Sequence, residues 1–308
     1  MSDSNATDFT NPSTFILLSI PGLEAAHVWI SIPFCTMYAI AVLGNFTILF
    51  IVKMEPSLHG PMHYFRCMLA VTSLVLTTST LPKMLSIFWF NSREIDFRVC
   101  LTQIYFIHCF LEMESGILVA MALDLYMAFC PPTNHVVSKI GLAVMLHGCI
   151  VILPLLILVR QLPYCRTNII PHPYCTHIAM VNLGCTDTRI SSYYGLFVLF
   201  CVIGVDVIFI TVSYIQILMA IFSLPTKDAQ FKTLGTCVSH LFVILAFYIP
   251  GFFNSIMYRF GQNVPLHFHV FIAKVYLLMP PTLNPIIYGV RTKEIQGRLL
   301  RLFTHEGA

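Results

Sequence analysis

The first long apolar stretch of the chain, VWISIPFCTMYAIAVLGNFTILFIV, runs from Val28 to Val52 and holds 25 residues without a charged side chain. A helix that crosses a lipid bilayer needs about 20 consecutive, mostly apolar residues. Because the stretch exceeds that length and carries no charge, it predicts a membrane-spanning helix.

The composition extends this prediction to the rest of the chain. Of the 308 residues, 57% are hydrophobic and only 10% are charged, whereas soluble domains carry about 25% charged residues. Most of the surface is therefore expected to face lipid rather than water. The net charge of +3 is mild and no long basic run occurs, which argues against a nucleic-acid partner.

Six further stretches have the length of a span, although four of them contain one or two charged residues. They are Met62–Phe90, Val99–Leu123, Ile140–Val159, Ile190–Phe222, Thr233–Tyr258 and Leu266–Val290. The sequence thus predicts an all-α membrane protein with a bundle of seven transmembrane helices over residues 28–290. Residues 1–27 precede the bundle and residues 291–308 form a tail. In the tail, apolar and basic residues alternate over Thr292–Phe303, which predicts a short amphipathic helix on the membrane surface.

The basic residues around the first span indicate the orientation of the protein. Lys53 follows this span and no Lys or Arg precedes it, and basic residues favour the cytoplasmic side. An odd number of spans places the two termini on opposite sides. The segment before the first span also carries a glycosylation sequon at Asn5. We therefore expect a multi-pass plasma-membrane protein with an extracellular N-terminus and a cytoplasmic tail.

Four of the eleven cysteines fall on the predicted outer side of the membrane. Cys165, Cys175 and Cys185 lie in the long connection between the fourth and fifth spans, and Cys100 begins the third span. In an oxidising environment these four are expected to form two bridges, and three pairings are open. Neither zinc-ligand spacing nor an enzyme's nucleophile motif occurs. We therefore expect no cofactor and no catalytic activity.

Several motifs at the ends of the predicted spans resemble those of odorant receptors, a branch of the rhodopsin-like G-protein-coupled receptors. They are LHGPM (Leu58–Met62), MALD (Met121–Asp124), SY (Ser213–Tyr214), KTLGTCVSH (Lys232–His240) and PTLNPIIY (Pro281–Tyr288). IPGLE (Ile20–Glu24), MESG (Met113–Gly116) and the three-cysteine loop resemble the fish-like, class I branch. The resemblance covers nearly the whole chain. It implies a receptor that binds a small odorant from outside and signals through a heterotrimeric G protein.

The resemblance also implies a disulfide pairing and a class of ligand. The implied pairs are Cys100 with Cys175 and Cys165 with Cys185. The first bond would tie the outer loop to the third span and roof the ligand pocket. The class I branch often recognises carboxylic acids and other polar odorants, so we expect a polar or acidic ligand.

Three residues are candidates for contact with such a ligand. Arg259 lies at the outer end of the sixth span, where an arginine by default extends to the membrane interface. The resemblance implies instead that it pairs with the carboxylate of an odorant. Ser255 is one turn earlier on the same face and could donate a further hydrogen bond. His108 occupies a pocket-facing position in the resembling receptors; alternatively, a neighbouring backbone group satisfies it.

Lys274 in the seventh span is a fourth candidate, because a lysine inside the membrane is costly and by default functional. A retinal Schiff base is excluded. The lysine of opsins lies seven residues before the Pro of NPxxY, and Leu278 occupies that position here. Two alternatives remain: a second cation beside Arg259 for an anionic ligand, or a pairing with Glu112 or a carbonyl group.

Glu114 matches a family carboxylate that lies in a polar cluster inside the bundle. In the family it has an aspartate partner in the second span, and the pair suits sodium binding near Asn45 and Asn284. Ser73 stands at the partner position in this chain. Because a hydroxyl group cannot supply the second negative charge, we expect a weakened or absent sodium site.

The residues that couple such receptors to a G protein depart from the family pattern. The family has an arginine between the acid and the tyrosine of Asp124-Leu125-Tyr126, whereas Leu125 offers neither charge nor hydrogen-bond donors. The next inner loop, between Pro131 and Lys139, is also short. The NPxxY element is present, with Asn284, Pro285 and Tyr288. We therefore expect the fold to persist and question the coupling.

Three functional hypotheses follow. The first is a receptor in which odorant binding favours a state with the fifth and sixth spans moved outward, pivoting at Pro250. The second is a decayed receptor-like protein without signalling, which Leu125 and the short loop favour. The third is a transporter or channel, which predicts internal repeats or a continuous polar lining.

Overall fold

The computed structural model of the protein describes residues 12–18, 27–126, 134–165, 167–260, 264–291 and 296–297. Its helices are α1 (His27–Met54), α2 (Pro61–Phe90), α3 (Phe97–Tyr126), α4 (Asn134–Gln161), α5 (His177–Leu183), α6 (Arg189–Phe222), α7 (Lys227–Phe260) and α8 (Leu266–Arg291). Among the described residues, all of these except α5 are long and apolar enough to cross a membrane. The predicted bundle of seven transmembrane helices is thus confirmed.

Most helices extend a few residues beyond the predicted spans. α4 begins at Asn134 rather than Ile140, and α7 begins at Lys227 rather than Thr233. Span prediction counts apolar residues, whereas polar residues at the membrane surface continue a helix readily. The helix ends therefore project beyond the apolar stretches.

The helices close into a bundle in which α3 is the most buried span and α6 the least. α3 packs against α2, α4 and α6, while α8 packs against α1, α2 and α7. Large apolar side chains remain exposed around the bundle, among them Phe197, Phe200 and Ile208 of α6. Apolar surface of this extent indicates contact with lipid.

The close approach of α1 to α8 depends on Gly44. A Cβ atom on this residue would lie 2.6 Å from Cβ of Pro285, far inside ordinary contact. The two helices therefore approach closely only because residue 44 has no side chain, as is common between membrane helices. Pro285 of the NPxxY element consequently also serves to pack α8 on α1.

A small three-stranded sheet covers one end of the bundle, which we call the disulfide end. The central strand, β1 (Thr14–Leu17), pairs antiparallel with β2 (Glu94–Asp96) and parallel with β3 (Ile169–Ile170). Phe15 and Leu17 of β1 are fully buried, and they pack among residues of α3, α4 and α5. These strands were not predicted, because two to four residues are too few to show an alternating pattern.

Two disulfides lie at the same end. Cys100 is bonded to Cys175 and Cys165 to Cys185, with Cα–Cα distances of 5.5 Å and 5.8 Å. These are the pairs that the resemblance implies. Thr176, next to Cys175, caps α5 by accepting a hydrogen bond from the backbone N–H of Ala179. The first disulfide therefore fixes the start of α5 beside α3.

Three predicted features lie outside the described residues. They are the sequon at Asn5, the connection between α3 and α4 at residues 127–133, and most of the amphipathic helix over Thr292–Phe303. Each stays a prediction.

Candidate ligand-binding site

A cavity of about 180 Å³ lies inside the bundle below the disulfide end, among α3, α4, α5, α6, α7 and α8. Its volume would hold roughly six water molecules at ~30 Å³ each, and sites for drug-sized ligands span roughly 300–1,000 Å³. Most of the wall is apolar, with side chains such as Leu111, Val202 and Phe247, and a few polar groups converge on it. The cavity therefore suits a small ligand that is largely apolar.

The segment before α5 forms the roof of this cavity. The backbone N–H of Cys175 donates to Oε1 of Gln103 in α3 at 2.9 Å, in addition to the disulfide with Cys100. The hydroxyl of Tyr174, which lines the cavity, donates to the carbonyl of Ala273 in α8 at 3.2 Å. The roof is thus tied to two different helices of the bundle.

Arg259 and two histidines form one end of the cavity, which we call the basic end. The rings of His108 in α3 and His177 in α5 meet edge to face, with centroids 6.4 Å apart. A Cβ atom on Gly195 of α6 would lie 2.8 Å from Nη2 of Arg259 and 2.9 Å from Cε1 of His177. Both side chains therefore rest against the backbone of α6. Gly195 makes room for them, a role that no sequence motif indicated.

The positive charge of the basic end belongs to Arg259. Burial holds the pKa of His177 well below its ordinary range, and repulsion by His108 and Arg259 lowers it further. The neutral His177 ring is hydrogen-bonded through Nε2 to the hydroxyl of Ser191, at 3.1 Å. Nε of Arg259 and Nε2 of His108 are buried without a hydrogen-bond partner within the described part of the chain. A ligand entering the cavity therefore meets a cation and an imidazole nitrogen available for hydrogen bonding.

Three of the four residues predicted to contact the ligand share this cavity. Arg259, Ser255 and His108 all line it, with Ser255 one turn before Arg259 on α7. Their contact with a ligand remains a prediction, but all three side chains could be reached by one ligand because they line the same cavity.

Lys274 lies elsewhere, so the structure does not bring it together with the other three candidates. Its Nζ is 4.2 Å from the ring centroid of Phe88 and 5.3 Å from that of Phe34, among α1 and α2. Nζ has no hydrogen-bond partner among the described residues, and Lys274 does not line the cavity. It is thus neither beside Arg259 nor paired with Glu112. Tyr276 and Leu277 of α8 line the cavity instead, while the rings of Phe34 and Phe88 hold the ammonium group by cation–π contacts.

The opposite end of the cavity carries a second polar group of residues, the floor cluster: Glu112, Ser115 and Tyr248, which line the cavity, and Asp206, which is bonded to the two hydroxyls. Oδ2 of Asp206 accepts hydrogen bonds from the hydroxyls of Tyr248, at 2.8 Å, and Ser115. Oε1 of Glu112 lies 3.3 Å from Nδ1 of His147. The sequence pointed to Glu112 only as an alternative partner of Lys274, and Asp206 is one of the charged residues within the predicted spans. Their partners come from other helices, so only packing reveals the cluster.

Glu114 and Ser73 meet in the interior of the bundle, as the family pattern implies for these positions. The hydroxyl of Ser73 donates to Oε1 of Glu114 at 2.8 Å, and Nδ2 of Asn284 is 3.5 Å from Oγ of Ser73. Asn45 instead donates to the carbonyl of Pro281 at 3.0 Å. Within the described ranges, no three His, Cys, Asp or Glu residues are grouped to hold a metal ion. A weakened or absent sodium site remains the expectation.

At the end of the bundle opposite the disulfides, Arg66 of α2 lies beside the predicted coupling residues. Its Cζ is 5.1 Å from the ring centroid of Tyr288, and its charge acts on the carboxyl group of Asp124. Leu125 is half-buried and packs in an apolar cluster with Ile217, Ile221 and Cys237. The side chain of Tyr126 lies outside the described residues. No motif in the sequence singled out Arg66, which is one of the charged residues within the second predicted span.

Comparisons with known proteins identify the family. Residues 34–306 match a family model described as olfactory receptor. The chain is 50% identical to olfactory receptor 52R1 of Homo sapiens over 299 residues, which cover 95% of each chain. It is 47% identical to olfactory receptor 52D1 of Homo sapiens over 310 residues, covering 98% of each. The crystal structure of squid rhodopsin shares the fold, with a TM-score of 0.72 at 14% sequence identity over 96% of this chain and 91% of that chain.

These matches decide among the classes of function considered above. The matching family consists of seven-helix receptors, which are not enzymes, and this sets aside the transporter or channel hypothesis. The chain belongs to the olfactory receptor family, within the G-protein-coupled receptors that share the rhodopsin fold.

Proposed function

We propose that the protein is a plasma-membrane receptor that binds small carboxylic acids from the extracellular side and signals through a heterotrimeric G protein. The disulfide end faces outward in this proposal. Two disulfides at that end suit an oxidising compartment. Lys53, at the opposite end of α1, suits the cytoplasmic side.

The observation that carries the proposal is the position of Arg259 inside the cavity. The guanidinium group can bind a carboxylate through two parallel hydrogen bonds. Because Arg259 is partly buried, such a pair is stronger than on a fully exposed surface. His108 and Ser255 line the same cavity and supply further hydrogen-bonding groups. The apolar wall then accommodates the hydrocarbon chain of the acid.

A second candidate is a receptor that binds its ligand without signalling. The apolar packing of Leu125 against α6 and α7 favours it, because the position that carries the coupling arginine in the family is part of an apolar cluster here. Binding and signalling must therefore be measured separately.

Thermal unfolding of the purified receptor in lipid nanodiscs tests the binding proposal without requiring signalling. A ligand that binds only the folded state raises the apparent Tm. Straight-chain carboxylic acids of four to twelve carbon atoms should raise it, and the methyl esters of the same acids should have a smaller effect. Cyclic-nucleotide production in cells, measured with the same acids, then reports whether the binding is coupled.

Arg259→Ala should abolish the shift caused by the acids. The matched control is Arg189→Ala, which removes a basic residue at the same end of the bundle, where its side chain is 79% exposed. This variant should respond like the unaltered receptor. Equal shifts for Arg259→Ala and Arg189→Ala would contradict the proposal.

A further inference from the structure

The cavity has a polar group of residues at each end, with an apolar wall between them. His108 and Ser115 lie on α3 and are separated by seven positions in the chain, or ~10 Å at the helical rise of about 1.5 Å per residue. Ser255 and Tyr248 have the same separation on α7. The distance between the basic end and the floor cluster is thus similar to the length of an extended carbon chain of medium length.

The two ends differ in their hydrogen-bonding character. At the basic end, the guanidinium group of Arg259 has only donors. At the floor, the hydroxyls of Ser115 and Tyr248 contact Oδ2 of Asp206 and also each other, with their oxygens 2.7 Å apart. Both hydroxyl hydrogens are therefore used within the cluster, so neither hydroxyl has a donor left for a ligand. Glu112 adds a carboxyl group to the same surface. The floor thus offers acceptors to a ligand.

We propose that this cavity selects ω-hydroxy carboxylic acids, elongated molecules with a carboxylate at one end and a hydroxyl at the other. The inference rests on the proposed function, because the carboxylate pairs with Arg259. The hydroxyl at the far end donates to the acceptors of the floor cluster. A plain acid, which has a methyl group in place of the terminal hydroxyl, has no hydrogen-bond donor to offer to these acceptors. A dicarboxylic acid places a second carboxylate against the carboxyl group of Glu112, which lines the cavity, and two like charges at close range are unfavourable.

Ligands of matched length separate these cases. Three ligands are compared at each chain length from six to twelve carbon atoms. All three carry a carboxylate at one end, and the other end is a methyl group, a hydroxymethyl group or a second carboxylate. Affinity is measured from the concentration dependence of the thermal shift of the full-length receptor in nanodiscs. At the best length, the hydroxy acid should bind about tenfold more tightly than the plain acid, the gain typical of one added hydrogen bond. The dicarboxylic acid should bind most weakly.

Variants of the floor cluster test whether it causes the preference. Tyr248→Phe and, independently, Ser115→Ala should reduce the ratio of hydroxy-acid to plain-acid affinity toward one. Glu112→Gln should improve the relative binding of the dicarboxylic acid. Tyr193→Phe, which removes an exposed hydroxyl from α6, is the control and should keep the ratio of the unaltered receptor. Two independent variants guard against the failure of either one to fold.

The outcomes distinguish this inference from the proposed function. If plain and hydroxy acids bind equally at every length, or if both floor variants keep the preference, the inference is overturned while acid binding stands. If no acid of any kind binds, the proposed function fails and the inference fails with it.

Discussion

The guanidinium group of Arg66 in α2 lies over the ring of Tyr288 in α8, with Cζ 5.1 Å from the ring centroid. Arg66 is 8% exposed and Tyr288 is 5% exposed, so the contact is largely shielded from water. Shielded cation–π contacts are worth about 2 kcal/mol or more. The contact therefore joins α2 and α8 beside the predicted coupling residues.

Removing either partner should lower the stability of the bundle. Arg66→Leu and Tyr288→Leu should each lower the apparent Tm of the purified receptor. The decrease in Tm of the double variant should be smaller than the sum of the decreases in the two single variants, because both substitutions remove the same contact. Arg98→Leu, at an exposed position, is the control and should change the Tm little. Strictly additive losses would show that the two side chains stabilise the fold independently.

Restoring the arginine of the coupling motif should increase signalling. Leu125→Arg places a cation beside Asp124 at the position where the family carries one. We expect the rate of G-protein nucleotide exchange in nanodiscs to rise by about tenfold. A change of this size corresponds to a typical coupling free energy between two sites. Leu125→Gln, which is polar but uncharged, is the control for the loss of apolar packing. Exchange as fast in the unaltered receptor as in Leu125→Arg would mean that Leu125 does not limit coupling.

The two disulfides should differ in their effect on ligand binding. Cys175→Ser releases the roof from α3 and should abolish the thermal shift caused by acids. Cys185→Ser opens a bond between residues only 20 positions apart, away from the roof, and should retain most of that shift. Both variants should have a lower Tm without ligand, because a disulfide restricts the unfolded chain. Equal loss of ligand response in the two variants would contradict the assignment of the roof.

The buried His177 should make the receptor less stable in mild acid. Its pKa in the folded protein lies well below the ordinary value of 6.5 because of burial and of repulsion by His108 and Arg259. The unfolded chain therefore binds a proton below about pH 6.5 that the folded protein does not, so stability falls as the pH falls. His177→Gln lacks this proton uptake. The Tm of the unaltered receptor should decrease more than that of His177→Gln between about pH 7 and pH 5, and parallel curves would contradict the prediction.

The fold was largely predictable from the sequence, because each membrane span is one continuous and long apolar stretch of the chain. The bounds of α4 and α7 were less accurate, since the polar residues at their starts, Asn134 and Lys227, carry no span signal. The strands at the disulfide end were missed because β1 is held by contacts with segments distant in the chain. Local periodicity contains no information about such contacts.

The candidate site was predictable only in part. Arg259, Ser255 and His108 were named from motifs and share one cavity. Lys274 was named from its charge within a span, and the structure places it against Phe34 and Phe88 rather than in this cavity. Asp206 could be seen in the sequence as an intramembrane acid, whereas its hydroxyl partners are ordinary residues of other helices. Gly195 matters only through the side chains that pack on it.

The measurement that tests the central claim most directly is a cryo-electron microscopy structure of the receptor in nanodiscs with a saturating carboxylic acid. The proposal predicts density for the acid in the cavity below the disulfide end, with its carboxylate within hydrogen-bonding distance of the Arg259 guanidinium group. An acid bound elsewhere on the receptor, or an empty cavity at saturating concentration, would contradict it.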